Sequence, residues 1–150
     1  MAGSKFCYAT YIRTTPAELW EALLDPDRIP QYWFGVRTEC DWQVGASWKN
    51  VSPAGQVLDA GEIVDAEPQH RLAIRWRHQL KPELAAEGDS LCTMELEPAG
   101  TAVRLTVTHA SDREDSRLIG AVAVGWPKVL SNLKSLLETG SAALSDPYPA

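Results

Sequence analysis

The segment RLAIRWRHQL, residues 71–80, alternates its side chains with a period of two. Successive side chains of a β-strand point to opposite faces of a sheet, so this period predicts a strand. One face is rich in arginine and belongs in water. The other face carries Leu72, Ile74, Trp76 and His78. The first question for the fold is whether this second face contacts a packed core or a cavity kept for a ligand.

Strand patterns dominate the middle of the chain, from about residue 36 to residue 109. Short apolar runs there are separated by turn sequences such as SPAG and EPAG. The segment KFCYATYIR, residues 5–13, predicts one further strand ahead of them. The β segment therefore accounts for most of the predicted regular structure.

Helical signals flank this β segment on both sides. In TPAELWEALLDP, Thr15 can cap a helix, and Glu18 three residues later completes a capping box. The next segment, DPDRIPQYWFG, is expected to hold one more short helical turn. Residues 115–140 predict a long amphipathic helix, which we expect Pro127 to kink or divide and Gly140 to end.

The order of these elements indicates the fold class. One strand, two helices, a run of antiparallel strands and a long final helix predict an α+β protein. Its single curved antiparallel sheet is expected to wrap around the C-terminal helix, because both then bury an apolar face. We expect a single domain over residues 1–150, with its core at about residues 5–140 and a flexible tail at 141–150.

The alternation also predicts how neighbouring strands align. Placing large residues opposite small ones, and apolar residues opposite each other, gives a register for four strands. The predicted pairs are Ile63 with Ile74, Gly61 with Trp76, Met94 with Val103, Cys92 with Leu105, and Ser90 with Val107. This register puts Met94 beside Ile74 on the neighbouring strand.

Charge and composition exclude several classes of partner. The net charge of −6 is unsuited to binding a nucleic acid, whose affinity comes mainly from neutralised phosphates. No apolar stretch approaches the ~20 residues of a membrane-spanning helix. The N-terminus lacks the pattern of a secretory signal, and three cysteines without a CxxC motif suit a reducing compartment. We therefore expect a cytoplasmic protein, monomeric or homodimeric, without a cofactor.

Five segments together resemble one protein family. They are YIRTTPAELWEALLDPDRIPQYWFG, DWQVGASWK, GEIVDAEPQHRLAIRWRH, TAVRLTVTH and GWPKVLSNLKSLLETG. In this order they resemble the bacterial branch of the heat-shock-protein-90 ATPase activator homologue-like family, within the START-related SRPBCC superfamily. The resemblance covers residues 8–140. It implies the helix-grip, START-like fold with an internal cavity, and it brings no shared set of catalytic residues.

The cavity that this resemblance implies would be lined by inward-facing side chains of the sheet, the loop before it and the last helix. The predicted lining residues are Trp33, Phe34, Trp48, Ile63, Trp76, Met94 and Trp126, with His78 and His109 as polar contacts and Leu130 and Leu133 from the C-terminal helix. Any single tryptophan is better suited to anchor a packed core, and each histidine is equally suited to a structural hydrogen bond.

Metal binding and catalysis have little support in the sequence. In the predicted register, His78 and His109 lie two strand spacings apart, about 10 Å, which is too far to share one metal ion. Cys92 is expected on the intervening strand but displaced from both. No GxSxG motif or phosphate-binding glycine loop is present, so we predict neither metal ligands nor catalytic residues.

These observations favour a non-catalytic protein that holds a small hydrophobic or aromatic molecule in an internal cavity. A polyketide cyclase-like enzyme is one alternative, because such a reaction needs only a shaped cavity and one polar group. A stress-related accessory module of a chaperone is the other. A cavity beside Met94 would let Met94→Trp cost less than about 1 kcal/mol, whereas a packed core would raise the cost to about 1–3 kcal/mol.

The chaperone alternative predicts a measurable effect on ATP hydrolysis. The eukaryotic co-chaperone of the resembled family carries an N-terminal domain in addition to the one that this chain resembles, and we expect a single domain here. We therefore expect no acceleration of the chaperone's steady-state ATPase rate when this chain is added at micromolar concentration. A several-fold stimulation by this chain alone would contradict the binding interpretation.

Overall fold

The computed structural model describes residues 3–147 and confirms the predicted fold class. Seven antiparallel strands form one sheet in the order β1-β7-β6-β5-β4-β3-β2, and a long C-terminal helix packs against it. The elements in chain order are β1 Ser4–Ile12, α1 Pro16–Leu24, α2 Ile29–Tyr32, β2 Arg37–Cys40, β3 Ser47–Val51, β4 Val57–Glu67, β5 Arg71–His78, α3 Pro82–Ala85, β6 Asp89–Ala99, β7 Ala102–Ser111 and α4 Arg117–Thr139.

The core lies between the inward face of the sheet and helix α4. Helix α4 contributes Val129, Leu130 and Leu133, which are all buried. It packs against β1, β7 and α2. Two polar contacts position its C-terminal half: Lys134 Nζ donates to the carbonyl of Tyr11, and the backbone N–H of Arg13 donates to the carboxylate of Glu138.

The predicted register is correct for β4 and β5, where Ile63 pairs with Ile74 and Gly61 with Trp76. It is wrong by four residues for β6 and β7, because these strands continue to a tight turn after Ala99. Met94 therefore pairs with Val107 and with Leu72 rather than Ile74. An even-numbered shift leaves each side chain on its predicted face.

The same shift changes the surroundings of two polar groups. Cys92 lies directly opposite His109, instead of displaced from it as predicted. Ser90 lies opposite Trp76 on the other neighbouring strand, β5. The polar ends of β5, β6 and β7 are consequently closer together than the sequence register implied.

Gly61 is required by the backbone of the neighbouring strand. A Cβ atom at this position would lie 1.7 Å from the carbonyl oxygen of Arg75, a separation no side chain tolerates. The sequence correctly predicts the pair of Gly61 with Trp76. The clash that glycine avoids is with the carbonyl oxygen of Arg75, however, and not with the Trp76 indole. The close approach lies next to a register irregularity between Ile63 and Asp65.

Helix α4 begins at a well-defined cap. The Ser116 hydroxyl accepts the backbone N–H of Ile119 and donates to Glu87 Oε1, while the backbone N–H of Arg117 donates to Glu87 Oε2. Pro127 does not divide the helix, which runs without interruption to Gly140 with its φ of 91°. Among the helices of residues 3–147, none is long and apolar enough to cross a lipid bilayer.

Residues 141–147 fold back against α4. The backbone N–H of Leu144 donates to Asn132 Oδ1 over 2.6 Å, and Asn132 Nδ2 donates to the carbonyl of Leu144 over 2.9 Å. Asn132 Nδ2 also lies 3.3 Å from the carbonyl of Tyr32. Residues 1–2 of the expected domain and 148–150 of the expected tail lie outside the described residues.

Candidate functional site

Four indole rings form the centre of the molecule. The tryptophan cluster consists of Trp33, Trp48, Trp76 and Trp126. The Trp76 ring has its centroid 4.5 Å from that of Trp48, 5.9 Å from that of Trp126 and 6.2 Å from that of Trp33. Trp33 and Trp126 contact each other edge to face at 5.2 Å. Such offset and edge-on contacts add to the energy of apolar burial.

The interior on one side of the tryptophan cluster is almost filled. A cavity of about 20 Å³ remains there, room for roughly one water molecule. Seven of the predicted lining residues border this small cavity: Trp33, Trp48, Trp76, Met94, Trp126, Leu130 and Leu133. The inward face of RLAIRWRHQL therefore contacts a packed core at this level, because indole rings occupy the space that the resemblance assigned to a ligand.

A larger space lies on the other side of the tryptophan cluster and opens to solvent. This cleft has a volume of about 310 Å³ and lies between the adjoining ends of β4 and β5, the α3 segment and the N-terminal half of α4. Its lining residues are Trp33, Leu58, Asp59, Trp76, His78, Leu80, Lys81, Leu84, Leu118, Ala121, Val122, Gly125, Trp126 and Val129. Four predicted residues, Trp33, Trp76, His78 and Trp126, thus border the cleft.

The remaining three predicted lining residues lie elsewhere. Phe34 borders a neighbouring groove of about 350 Å³, which shares five lining residues with the cleft: Trp33, Leu58, Ala121, Gly125 and Val129. Ile63 and His109 are fully buried and border neither the small cavity nor the cleft. The structure consequently brings His78 to the cleft and keeps His109 in the core.

One carboxylate holds two aromatic side chains at the cleft wall. Asp59 Oδ1 accepts the indole N–H of Trp76 over 2.9 Å and lies 3.1 Å from Nδ1 of His78. The Asp59 and His78 side chains are only 12% and 14% exposed. Nε2 of His78 is buried and has no hydrogen-bond partner among the described residues. The pair therefore forms the polar part of an otherwise apolar cleft lining, while Nε2 of His78 is shielded from solvent.

His109 has a complete set of hydrogen bonds. Its Nδ1 accepts the indole N–H of Trp126 over 3.2 Å, so the ring proton lies on Nε2, which donates to the Ser90 hydroxyl over 2.8 Å. Ser90 in turn donates to the carbonyl of Trp76 over 3.0 Å. Burial lowers the pKa of His109 to about 4, since the charged ring would lose its hydration.

This arrangement does not form a nucleophile. The Ser90 hydroxyl is buried. It donates its hydrogen to the backbone carbonyl of Trp76 and not to His109, so His109 does not activate it as a base. Burial raises the pKa of the Cys92 thiol, which disfavours the reactive thiolate. Within residues 3–147, no three side chains of His, Cys, Asp and Glu lie close enough together to hold a metal ion.

Sequence reasoning missed Asp59 and the α3 segment. Asp59 has the same parity along β4 as Gly61 and Ile63, so the alternation already placed an acid on the inward face. The β pattern of residues 36–109 predicted no helix between β5 and β6, yet the Pro82–Ala85 helix of α3 directs Leu84 into the cleft wall.

Met94→Trp is now expected to be costly. The adjoining void of about 20 Å³ cannot accept an indole, so the larger ring forces strain on the packed core. We predict a loss of about 1–3 kcal/mol in the free energy of unfolding, measured by urea denaturation. Leu91→Trp is the matched control, because Leu91 is exposed on the opposite face of β6 and should change stability by less than about 0.5 kcal/mol. Equal, small effects of both substitutions would contradict a filled interior.

The buried His109 predicts a loss of stability in mild acid. The unfolded chain binds a proton on this ring near its ordinary pKa of 6.5, whereas the folded chain binds it only near pH 4. Between these values the unfolded state holds more protons, so the free energy of unfolding falls by about 1.4 kcal/mol per pH unit as the pH drops. In urea melts, His109→Gln should remove this slope between pH 6 and about pH 4.5. Identical pH slopes for both proteins would contradict a neutral, buried His109.

Comparison with known proteins identifies the family. A family model described as activator of Hsp90 ATPase homolog 1-like protein matches residues 13–138. The solved structure of MLL2253 from Mesorhizobium loti is 25% identical, with a TM-score of 0.78 over 90% of this chain and 97% of that one. CalU16 from Micromonospora echinospora is 25% identical, with a TM-score of 0.72 over 92% of this chain and 78% of that one.

A third structure extends the similarity in fold. PFC0360w, an HSP90 activator from Plasmodium falciparum, is 19% identical, with a TM-score of 0.73 over 91% of this chain and 97% of that one. Among proteins with curated functions, none matches the chain at a significant level. The family model covers most of the sheet and nearly all of helix α4. The chain therefore belongs to the activator of Hsp90 ATPase homolog 1-like protein family.

Proposed function

We propose that this protein binds a small, largely apolar aromatic molecule in the cleft and does not transform it. The observation that carries this proposal is the open cleft of about 310 Å³, whose inner wall is built from the rings of Trp33, Trp76 and Trp126. Sites for small molecules are typically about 300–1,000 Å³ in volume, mostly apolar, with a few polar groups that orient the ligand.

The composition of the cleft matches that description. Leu84, Leu118 and Val122 supply aliphatic walls, while Asp59 and His78 supply the polar part of the lining. Aromatic ligands are favoured because indole faces and edges make offset and edge-on contacts with other rings. The proposal thus keeps the ligand class expected from the sequence and moves its site from the interior to the cleft.

Gly125 contributes to the openness of the cleft. It lies inside helix α4, where glycine costs about 1 kcal/mol relative to alanine, yet a Cβ atom at this position would meet no atom within 4 Å. Folding therefore gives no steric reason for glycine here. A side chain at position 125 would occupy space in the cleft wall, so its absence leaves that space to a ligand.

Ligand entry is expected to perturb particular tryptophans. Titration with naphthalene, followed through the indole N–H signals in ¹H–¹⁵N correlation spectra, should shift Trp33, Trp76 and Trp126 saturably. Trp20 lines neither the cleft nor the small cavity and should not shift. Unchanged spectra across a chemically broad panel of flat aromatic compounds would contradict the proposal.

Two helical glycines provide a matched pair of variants. Gly125→Leu places a side chain into the cleft wall and should abolish the shifts, while Gly120→Leu lies on the exposed part of α4 and should leave them unchanged. Both substitutions replace glycine in a helix without a Cβ clash, so neither should lower the free energy of unfolding. Undiminished binding by Gly125→Leu would place the ligand elsewhere.

The enzyme alternative differs from binding in its products. A cyclase-like activity would change the mass or the absorption spectrum of the bound compound, whereas a binding protein returns it unchanged. We propose the latter because the hydroxyl of Ser90 and the thiol of Cys92 are buried and unactivated. Mass spectrometry of a candidate ligand before and after incubation separates the two.

The cytoplasm remains the proposed location. The cysteines Cys7, Cys40 and Cys92 are all free thiols, and Cys92 is fully buried among apolar side chains. Free thiols persist most readily in a reducing compartment. The thiols therefore support the cytoplasm over an oxidising environment.

A further inference from the structure

The distance between two walls of the cleft limits the thickness of a ligand, provided that the cleft binds one as proposed above. The α3 segment, residues 80–88, supplies one wall, which includes Leu84. The N-terminal half of α4 supplies another, which includes Leu118 and Val122. The cleft volume of about 310 Å³ is at the lower end of the range for small-molecule sites, so a small change in this distance alters which ligands fit.

The α3 segment has few direct connections to α4. Its backbone N–H groups from Leu84 to Gly88 donate to carbonyls within the segment itself. Among residues 3–147, no backbone–backbone hydrogen bond joins the segment to α4. Helix α3 packs against β5, and Leu84 is buried. Segments with mainly local hydrogen bonds open more readily than the strands of a sheet, so side-chain contacts must fix the position of this one relative to α4.

Glu87 supplies such a contact with both oxygens of its carboxylate. Oε1 accepts the hydroxyl hydrogen of Ser116 over 2.5 Å, and Oε2 accepts the backbone N–H of Arg117 over 2.9 Å. Partial burial opposes ionisation, yet these donors and Arg113 hold the pKa of Glu87 below its ordinary value. A carboxylate with two donors at the positive end of a helix makes a stronger contact than a neutral group would, and it fixes direction as well as distance.

We propose that Glu87 is a positioning residue that sets the width of the cleft and makes it select flat aromatic compounds over thicker ones. The carboxylate holds the α3 segment against the start of α4, so a flat ring can contact Leu84 on one element and Leu118 and Val122 on the other. When this carboxylate is removed, the α3 segment moves away from α4. A flat ligand then loses contact with Leu84, and a thicker ligand gains the space that it needs.

Two probes with the same ring system test this selection in the wild-type protein. The compound 2-methylnaphthalene is flat, whereas 2-tert-butylnaphthalene carries carbon atoms above and below the ring plane. Additional apolar surface normally strengthens binding, so a cleft without a width limit would favour the tert-butyl compound. In equilibrium dialysis we expect the opposite, with 2-methylnaphthalene bound about five- to tenfold more tightly. Equal affinities, or tighter binding of the tert-butyl compound, would overturn the inference.

Variants assign the preference to Glu87. Glu87→Ala removes both hydrogen bonds to α4, so the preference for 2-methylnaphthalene should fall below about twofold or reverse. Glu83→Ala is the matched control, because Glu83 is an exposed acid on α3 and its removal changes the charge equally while retaining the preference. Ser116 still caps α4 in Glu87→Ala through its bond to the backbone N–H of Ile119. A merely structural role of Glu87 would weaken both probes by the same factor, and an unchanged ratio would overturn its positioning role.

The outcomes separate this inference from the proposed function. If neither probe nor naphthalene binds the wild-type protein, the proposed binding function fails. If both probes bind and the tert-butyl compound binds at least as tightly, the binding function stands and the width selection fails. Should Glu87→Ala not fold, Glu87→Gln replaces it: the amide retains one acceptor oxygen, so a reduced preference is expected, and an unchanged one would contradict the assignment.

Discussion

The hydrogen bond between the Trp76 indole and the Asp59 carboxylate is the interaction on which the centre of the molecule depends. It joins adjacent strands β4 and β5 and fixes the indole between Trp48, Trp33 and Trp126. A nearly buried carboxylate is unfavourable without such partners, and Asp59 obtains two of them on one oxygen. The Trp76 indole, held in this position, separates the filled interior from the open cleft.

A second set of hydrogen bonds holds the tryptophan cluster from the side of β6 and β7. His109 accepts the Trp126 indole N–H and donates to Ser90, which donates to the Trp76 carbonyl. Two of the four rings of the tryptophan cluster are thereby fixed by hydrogen bonds as well as by packing. Fully satisfied networks of this kind favour one arrangement of a core over its alternatives. Rigid rings suit a binding wall, because little further ordering is needed when a ligand arrives.

The sheet could be predicted from the sequence because the period of two is local. Strand alternation assigned Ile63, Met94 and His109 to the inward face, and this assignment survived an error of four residues in the register of β6 and β7. That error arose because turn length depends on whether strand pairing continues to the end of the EPAG segment, which the alternation does not specify. The face of the sheet on which a side chain lies can therefore be predicted even where the exact residue pairing between strands cannot.

The volume of the interior could not be predicted in the same way. Whether four indoles fill a space or surround it depends on their rotamers and on the distance between sheet and helix, and neither is encoded in a periodic pattern. The cleft depends further on the α3 segment, whose short helix has no amphipathic repeat. Asp59 was predictable in position but not in role, since its significance comes from its contacts with Trp76 and His78.

The central claim is that a ligand occupies the cleft and not the interior, and intermolecular nuclear Overhauser effects test it most directly. Trp33, Trp76 and Trp126 border both spaces, so the informative reporters are methyl groups that border only one. With bound naphthalene, we predict contacts to the methyl groups of Leu84 and Val122, which line the cleft. Contacts to Met94 and Leu133, which line the small cavity, without contacts to Leu84 and Val122 would contradict it.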